Sequence, residues 1–174
     1  SPIELIAHRF LLAFAVMSIL VFLKIIKIDL KGKNMKNLFF LSFAQPVLYF
    51  IFESYGIKYS ASSQAGIMVA LIPVVVAILG VLFLEEKNTK QEIFFILLSV
   101  AGVMYIAYGK QMDENSSMLG IILLLCAVIS SSAYSIISRK ISKEFTSGER
   151  TYAMMLYGAL AFNLINIVSH VINN

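Results

Sequence analysis

The sequence consists largely of apolar runs that are about as long as a bilayer crossing. Residues 66–83 form one of these runs, which holds eighteen residues without a charge and has Pro73 near its middle. Apolar stretches of about 18 residues or more are typical of transmembrane helices. A proline removes one backbone hydrogen bond and bends the helix, and neighbouring membrane helices can satisfy the freed carbonyl. This run therefore predicts a bent membrane helix.

The same pattern recurs along the chain, and we predict six membrane spans. Hydrophobic residues make up 59% of the sequence and charged residues only 14%, whereas soluble domains carry about 25% charged residues. The predicted fold is therefore all-α, a polytopic membrane helical bundle of about six helices. The predicted spans are residues 2–23, 38–56, 64–84, 91–108, 118–137 and 151–171.

Lysine and arginine residues predict the orientation of the bundle. Eleven of them lie in the loops after the first, third and fifth predicted spans, and two, Lys58 and Lys110, lie in the other loops. Cytoplasmic loops carry an excess of basic residues. We therefore predict a multi-pass protein of the cell (inner) membrane with cytoplasmic lysine-rich loops. The formal net charge of +4 follows from these loops, so the lipid bilayer is the predicted partner and nucleic acid is not.

A weak internal repeat suggests an inverted architecture. A shift of 146 residues aligns Ser1 with Ser147 and Ala7 with Ala153. The first predicted span runs inward and the last runs outward, so equivalent spans would have opposite directions. Inverted repeats recur in secondary transporters, whose substrate sites lie between the repeats near mid-membrane. A small-molecule substrate is thus the second predicted partner.

No enzyme signature accompanies this pattern. The sequence has one cysteine, Cys126, and it lacks a P-loop, a nucleophile elbow and a zinc-protease motif. We predict no catalytic residue, metal or cofactor. A membrane-embedded enzyme and a non-transporting membrane subunit remain as alternatives. An enzyme would need clustered acid, base or metal-binding residues at one depth, and only sparse residues such as Glu4 and His8 approach this.

Two segments resemble the EamA-type carriers of the drug/metabolite transporter superfamily. The stretch SPIELIAHRFLLAFAVM resembles the second helix of these carriers. Residues 55–109 resemble the segment with a central Leu-x-Pro, a terminal glutamate and a glycine in the following helix, and Leu71, Pro73, Glu86 and Gly102 occupy those places. Lys87 stands where the family usually has arginine.

The resemblance implies a fold of ten helices in two inverted five-helix repeats, of which this chain holds helices two to seven. Residues 1–110 would be the first repeat without its first helix, and residues 111–174 the start of the second repeat, helices six and seven, without its last three. The implied function is secondary transport, usually export, of small polar metabolites such as amino acids by alternating access. Coupling to protons, with Glu53 and His8 as candidates, and uncoupled facilitation both stay open, as does a homodimer.

The predicted substrate cavity is lined by polar residues of four spans. Gln45, Tyr49 and Glu53 are spaced by four, which places them on one face of a continuous helix. They are predicted to contact substrate or to pair helices. Pro73 is predicted to be a gate or a packing kink. The remaining cavity candidates, with helix packing as the alternative, are Ser130, Tyr134 and Asn163.

Charged residues at the ends of the spans are predicted to control access. Arg9 is the one basic residue inside a predicted span, where ionisable side chains are costly and often functional. We predict that Arg9 and Glu53 form an ion pair that closes the external side. Arg9 could instead bind an anionic substrate group or extend to the lipid headgroups. Glu86 is predicted to be a structural or gating residue at the cytoplasmic rim.

Overall fold

The described structure is helical, in agreement with the predicted all-α fold. A computed structural model describes residues 2–87, 89–109 and 117–173 of the chain. The predicted repeat boundary at residues 110 and 111 lies outside these ranges. The helices are α1 (Pro2–Phe22), α2 (Met35–Ser42), α3 (Tyr49–Lys58), α4 (Ser62–Val69), α5 (Ile72–Leu84), α6 (Lys90–Gly109), α7 (Met118–Ile141) and α8 (Ser147–Asn173).

Within the described residues, five helical stretches are long and apolar enough to cross a membrane. They correspond to the predicted first, second, third, fifth and sixth spans. Helix α6 occupies the predicted fourth span, residues 91–108, although several of its side chains lie outside the described part of the chain. The five stretches are Ile3–Phe22, Met35–Lys58, Ser63–Leu84, Met118–Ile141 and Ser147–Val171.

The second span is interrupted near its centre. Helices α2 and α3 are joined by a wide turn, Phe43–Leu48, in which Gln45 has an extended backbone with φ −144° and ψ 123°. The Gln45–Pro46 peptide bond is cis. The spacing of four that predicted a shared face therefore holds for Tyr49 and Glu53, which both lie in α3. It does not hold for Gln45, because the helical geometry is lost at this residue.

The third span is interrupted where the sequence predicted a bend. Helix α4 ends at Val69, and α5 begins at Ile72 with Pro73 in its first turn. A proline is tolerated in the first turn of a helix because the N–H groups there lack intrahelical acceptors. The N–H group of Leu71 donates to the Met68 carbonyl at 3.0 Å, so a tight turn continues the chain between the two helices.

The described chain forms two compact units. The first consists of Ser1–Val47 and Ile137–Asn174 and the second of Leu48–Ile136. In the first unit, α1 and α8 pack antiparallel along most of their length. Near the middle of this contact the Phe10 and Phe162 rings stack with their centroids 5.5 Å apart, and Ala7 is fully buried.

In the second unit, the end of α3 packs against the start of α7. The Ser117 N–H group donates to the Tyr59 carbonyl at 3.0 Å. A Cβ atom added at Gly120 would lie 2.6 Å from the same carbonyl oxygen, so the backbones approach too closely for any larger residue. Gly56 and Leu124 make a similarly close contact between these helices.

Gly158 permits the close approach of α8 to α1. A Cβ atom at this position would lie 2.5 Å from Phe10 Cδ1 and 2.8 Å from Pro46 Cγ. We predict that Gly158→Ala destabilises the protein by about 1–3 kcal/mol through overpacking. Thermal unfolding of the intact protein in detergent, followed by far-UV circular dichroism, measures this change.

Gly66→Ala is the matched control, because no atom lies within 4 Å of a Cβ added there. Alanine is favoured over glycine in helices by up to about 1 kcal/mol, so this control should raise the unfolding temperature slightly. Equal shifts of the two variants in the same direction would contradict the assigned close packing at Gly158.

Candidate functional site

The candidate residues are divided between the two compact units. Arg9, Gln45 and Asn163 belong to the first unit. The members in the second unit are Tyr49, Glu53, Pro73, Glu86, Ser130 and Tyr134. The predicted Arg9–Glu53 pair would join the units and stays a prediction; Arg9 is exposed and Glu53 is half-buried.

Tyr49 and Glu53 form a polar pair inside the second span. The hydroxyl of Tyr49 donates to Glu53 Oε1 at 2.6 Å, and the Tyr49 side chain is buried. The pair forms because residues four apart lie on one face of α3. A carboxylate in an apolar segment is costly unless it receives hydrogen bonds. The phenol therefore gives the Glu53 carboxyl group a hydrogen-bond donor inside this apolar span.

The interruption before this pair places further polar groups in the same span. Gln45 is half-buried and lies at the extended point of the turn. The Ser42 hydroxyl, at the end of α2, is fully buried and has no hydrogen-bond partner among the residues that the structure describes. Interrupted membrane helices present backbone groups that can bind substrates or ions. Sequence analysis missed Ser42, since a serine in an apolar helix usually bonds its own backbone.

Asn163 pairs α8 with α1. Its Nδ2 atom donates to the Ala159 carbonyl at 2.8 Å and lies 3.5 Å from the Ala7 carbonyl oxygen. The half-buried amide thus makes the helix-pairing contact that the sequence left open beside a cavity role. Toward one end of the same helix pair, His170 Nε2 lies 3.2 Å from Glu4 Oε1.

Helix α7 carries a serine-rich stretch around two of the candidates. Ser130 is buried and Tyr134 is half-buried. The hydroxyls of the neighbouring Ser132 and Ser135 donate to the carbonyls of Val128 and Ser131, at 2.8 and 3.1 Å. These bonds satisfy the two hydroxyls within the helix. The cavity roles of Ser130 and Tyr134 stay predictions.

The third span ends at its glutamates in an unusual conformation. Glu85 has a left-handed backbone with φ +54°, and the Glu86 N–H group donates to the Gly80 carbonyl at 3.3 Å. Both glutamate side chains are exposed, as is Pro73 near the start of α5. Glu86 therefore follows the C-terminal end of α5, and its role at the cytoplasmic rim stays a prediction.

Sequence analysis also missed a buried carboxylate, that of Glu149. Its side chain is 2% exposed, and Lys33 Nζ lies 2.7 Å from Oε2 and 2.8 Å from Oε1. The motif Thr146-x-x-Glu149 is a capping box, which gives the N-terminus of α8, and the Thr146 N–H group donates to Glu149 at 2.9 Å. The Thr-x-x-Glu spacing could therefore have indicated the cap at the start of α8. No local pattern indicates the contact with Lys33, which lies 116 residues away.

The second unit also carries an apolar groove. The groove, of about 390 Å³, lies between α5 and α6, where apolar side chains of residues 74–82 and 93–97 line it. Among the described residues, no three His, Cys, Asp or Glu side chains come together as metal ligands would. The polar candidates lie elsewhere, in the interrupted second span, within α1, α7 and α8, and just after α5.

Comparison with known proteins identifies the family. Residues 1–108 match the EamA-like transporter family. The chain belongs to this family. The membership confirms the resemblance of the apolar segments and favours a transporter over an enzyme. It also agrees with a multi-pass membrane protein, because the matched region contains three of the helical stretches that could cross a bilayer.

Relatives of the chain are named as transporters. It is 36% identical over 171 residues to the uncharacterized transporter YcxC of Bacillus subtilis strain 168, which covers 98% of this chain and 55% of YcxC. It is 29% identical over 160 residues to YetK of the same organism, covering 88% and 48%. An uncharacterized transporter of Archaeoglobus fulgidus is 23% identical over 160 residues. The chain spans about half the length of these relatives.

The Tyr49–Glu53 hydrogen bond predicts energetic coupling between the two side chains. We expect Tyr49→Phe and Glu53→Gln each to destabilise the intact protein, and the double variant to be more stable than additivity gives, by about 1 kcal/mol or more. Unfolding in detergent measures the four free energies of the cycle.

A second cycle with Tyr55→Phe provides the control. Tyr55 is exposed in the same helix, only two residues from Glu53, so the two side chains do not share a face. Its coupling to Glu53→Gln should be near zero. Additive effects in the Tyr49 cycle would show that the hydrogen bond contributes nothing to the folded state.

Proposed function

We propose that the intact protein is a secondary carrier that moves small polar metabolites, amino acids or related compounds, out of the cell. The observation that carries this proposal is the Tyr49–Glu53 pair beside the interrupted centre of the second span, in a chain of the EamA-like family. Membrane transporters place hydrogen-bonding groups at such interruptions to hold polar substrates. Movement would occur by alternating access.

The proposed architecture is an inverted repeat, with residues 1–110 in the first repeat and 111–174 in the second. Helices α1 and α8 would be equivalent members of the two repeats. Their antiparallel packing, from the Glu4–His170 contact to the Phe14–Tyr152 contact, supports this assignment, since an inversion gives equivalent helices opposite directions. The central cavity would lie between the repeats.

Each candidate residue has a proposed role. Tyr49 and Glu53 would hold the polar or amino group of the substrate, and Glu53 would accept the coupling proton. Arg9 would close the external side by pairing with Glu53, and Pro73 would act as the hinge of the third span. Glu86 would stabilise the cytoplasmic rim. The remaining residues of the proposed cavity wall are Gln45, Ser130, Tyr134 and Asn163.

Export is tested with the intact protein in cells that lack their own exporters. The cells are challenged with toxic amino acids, peptides and related metabolites, while growth and intracellular concentrations are measured. We expect the wild-type protein to restore growth on at least one compound. Tyr49→Phe should lower export about tenfold at equal expression, because one hydrogen bond to a charged group contributes roughly 1.5–3 kcal/mol.

Tyr55→Phe, an exposed tyrosine of the same helix, should retain wild-type export. Growth that stays unrestored despite confirmed membrane insertion would contradict export. Chemical conversion of a compound that remains inside the cell would favour the membrane-embedded enzyme. Co-purification of a stoichiometric partner, together with the absence of transport, would favour a non-transporting subunit.

The proposed orientation places the lysine-rich loops in the cytoplasm. In the intact protein with every native cysteine, Cys126 among them, replaced by alanine, Lys31→Cys should react with a membrane-impermeant maleimide only after the cells are opened. Ser117→Cys, exposed at the start of α7, should react in intact cells. The opposite labelling pattern would invert the topology and, with it, the assignment of Arg9 to the external side.

A further inference from the structure

Two basic segments meet at one end of the first unit. One is residues 23–36, the loop between α1 and α2 with the start of α2, and the other is residues 139–146, the end of α7 with the loop before α8. The backbone N–H group of Asn34 donates to Glu144 Oε1 at 2.6 Å. A Cβ atom at Gly148 would lie 2.8 Å from Ile26 Cγ2, so the first loop packs directly onto the start of α8.

The buried side chain of Glu149 connects these two segments. Its carboxylate receives the Lys33 ammonium, the Thr146 N–H group and the Asp29 N–H group, the last at 2.9 Å. The Lys33 ammonium also lies 5.3 Å from the centroid of the Phe145 ring. A buried carboxylate with several donors holds its neighbours in a defined arrangement, so the two loops form one surface.

The charges on this surface are almost all positive. Lys33 neutralises the buried Glu149, which leaves Asp29 and Glu144 as the exposed acids of residues 23–36 and 139–146. The exposed basic residues of these two segments are Lys24, Lys27, Lys31, Lys36, Arg139, Lys140 and Lys143. Basic clusters next to a membrane helix attract anionic lipids.

Apolar side chains beside these lysines distinguish a lipid surface from other anionic partners. Phe22 is 85% exposed, Leu23 59% and Ile25 67%, and they flank Lys24. Apolar groups at this position enter the headgroup boundary, while lysine stems extend toward the phosphates. A soluble polyanion would leave these apolar side chains in water.

We propose that the two loops joined around Glu149 form a docking surface for the headgroups of anionic phospholipids. Phosphate oxygens would contact the exposed lysines, and the apolar side chains would lie among the upper acyl chains. The inference goes beyond the proposed transport function. It requires membrane insertion but no transport, so either can fail without the other.

Lipid titration of the detergent-solubilised intact protein tests the surface. Native mass spectrometry counts bound dioleoyl phosphatidylglycerol and dioleoyl phosphatidylcholine at low salt. We expect a preference for phosphatidylglycerol that weakens at high salt, since salt screens exposed charges. The triple variant Lys27→Gln, Lys31→Gln, Lys143→Gln should bind phosphatidylglycerol at least about fivefold more weakly, because one surface lysine contributes about that factor.

The control variant removes the same number of charges elsewhere, by Lys58→Gln, Lys87→Gln and Lys90→Gln, all exposed positions. It should change the affinity less than about twofold. A third variant, Lys27→Arg, Lys31→Arg, Lys143→Arg, should retain binding of phosphatidylglycerol. Equal losses in the two glutamine variants, or no loss in either, would overturn the proposal.

Glu149→Gln separates a built surface from simple charge attraction. This change makes the protein more positive by one charge, so non-specific attraction predicts tighter binding of phosphatidylglycerol. Loss of the Lys33 contact should separate the loops and weaken binding severalfold, with the far-UV spectrum unchanged. Tighter binding by this variant would overturn the proposal, and weaker binding would support it.

Discussion

Hydrogen bonding of backbone groups in the absence of water is the constraint on which this structure depends. The hydrocarbon core offers no donor or acceptor, so a spanning segment must satisfy its own polar groups. Helices do this without help, and the described chain is accordingly helical. Two prolines break the rule locally. Pro46 and Pro73 each coincide with an interruption of a span, and such an interruption is tolerated only where other protein groups or a polar cavity supply partners. The constraint that makes the chain helical thus also makes these two interruptions the places where polar groups need other partners.

The pairing of α1 with α8 gives the first unit its rigidity. The rings of Phe10 and Phe162 stack between the two helices. Gly158 has no Cβ atom, which permits the close approach of α8 to α1, and the Asn163 amide reaches the Ala7 carbonyl of the facing helix. Between membrane helices, where lipid is as apolar as leucine, close packing and interhelical hydrogen bonds drive association. Beyond the helices themselves, the Lys33–Glu149 pair ties the following loop to α8. These contacts therefore hold α1 and α8 together along most of their length, and the ion pair fixes the loop that follows α1.

Local patterns predicted the fold well and the site less completely. The family, the helical class and the interruption near Pro73 follow from apolar periodicity, short motifs and the missing N–H of proline. The second span shows the limit. A continuous helix would have placed Gln45 with Tyr49 and Glu53, but the backbone is extended at Gln45. The next residue, Pro46, packs close to Gly158 of α8, a contact between residues far apart in the sequence. Lys33 and Glu149 are separated by 116 residues, so no local pattern connects them. The roles of the cavity residues remain predictions for the same reason.

If the intact protein works by the alternating access that we propose, these contacts indicate which described elements would stay together. Breaking the Lys33–Glu149 pair would leave a carboxylate that is 2% exposed without its cation, at a cost of about 3–5 kcal/mol, and separating α1 from α8 would lose their ring and glycine contacts as well. The regular α-helical pattern is already interrupted at residues 43–48 and 70–71. Hinges are formed by a few element-terminal residues that absorb backbone change. We therefore expect α1 and α8 to stay together in any such motion, and the interruptions of the second and third spans to be its candidate hinges.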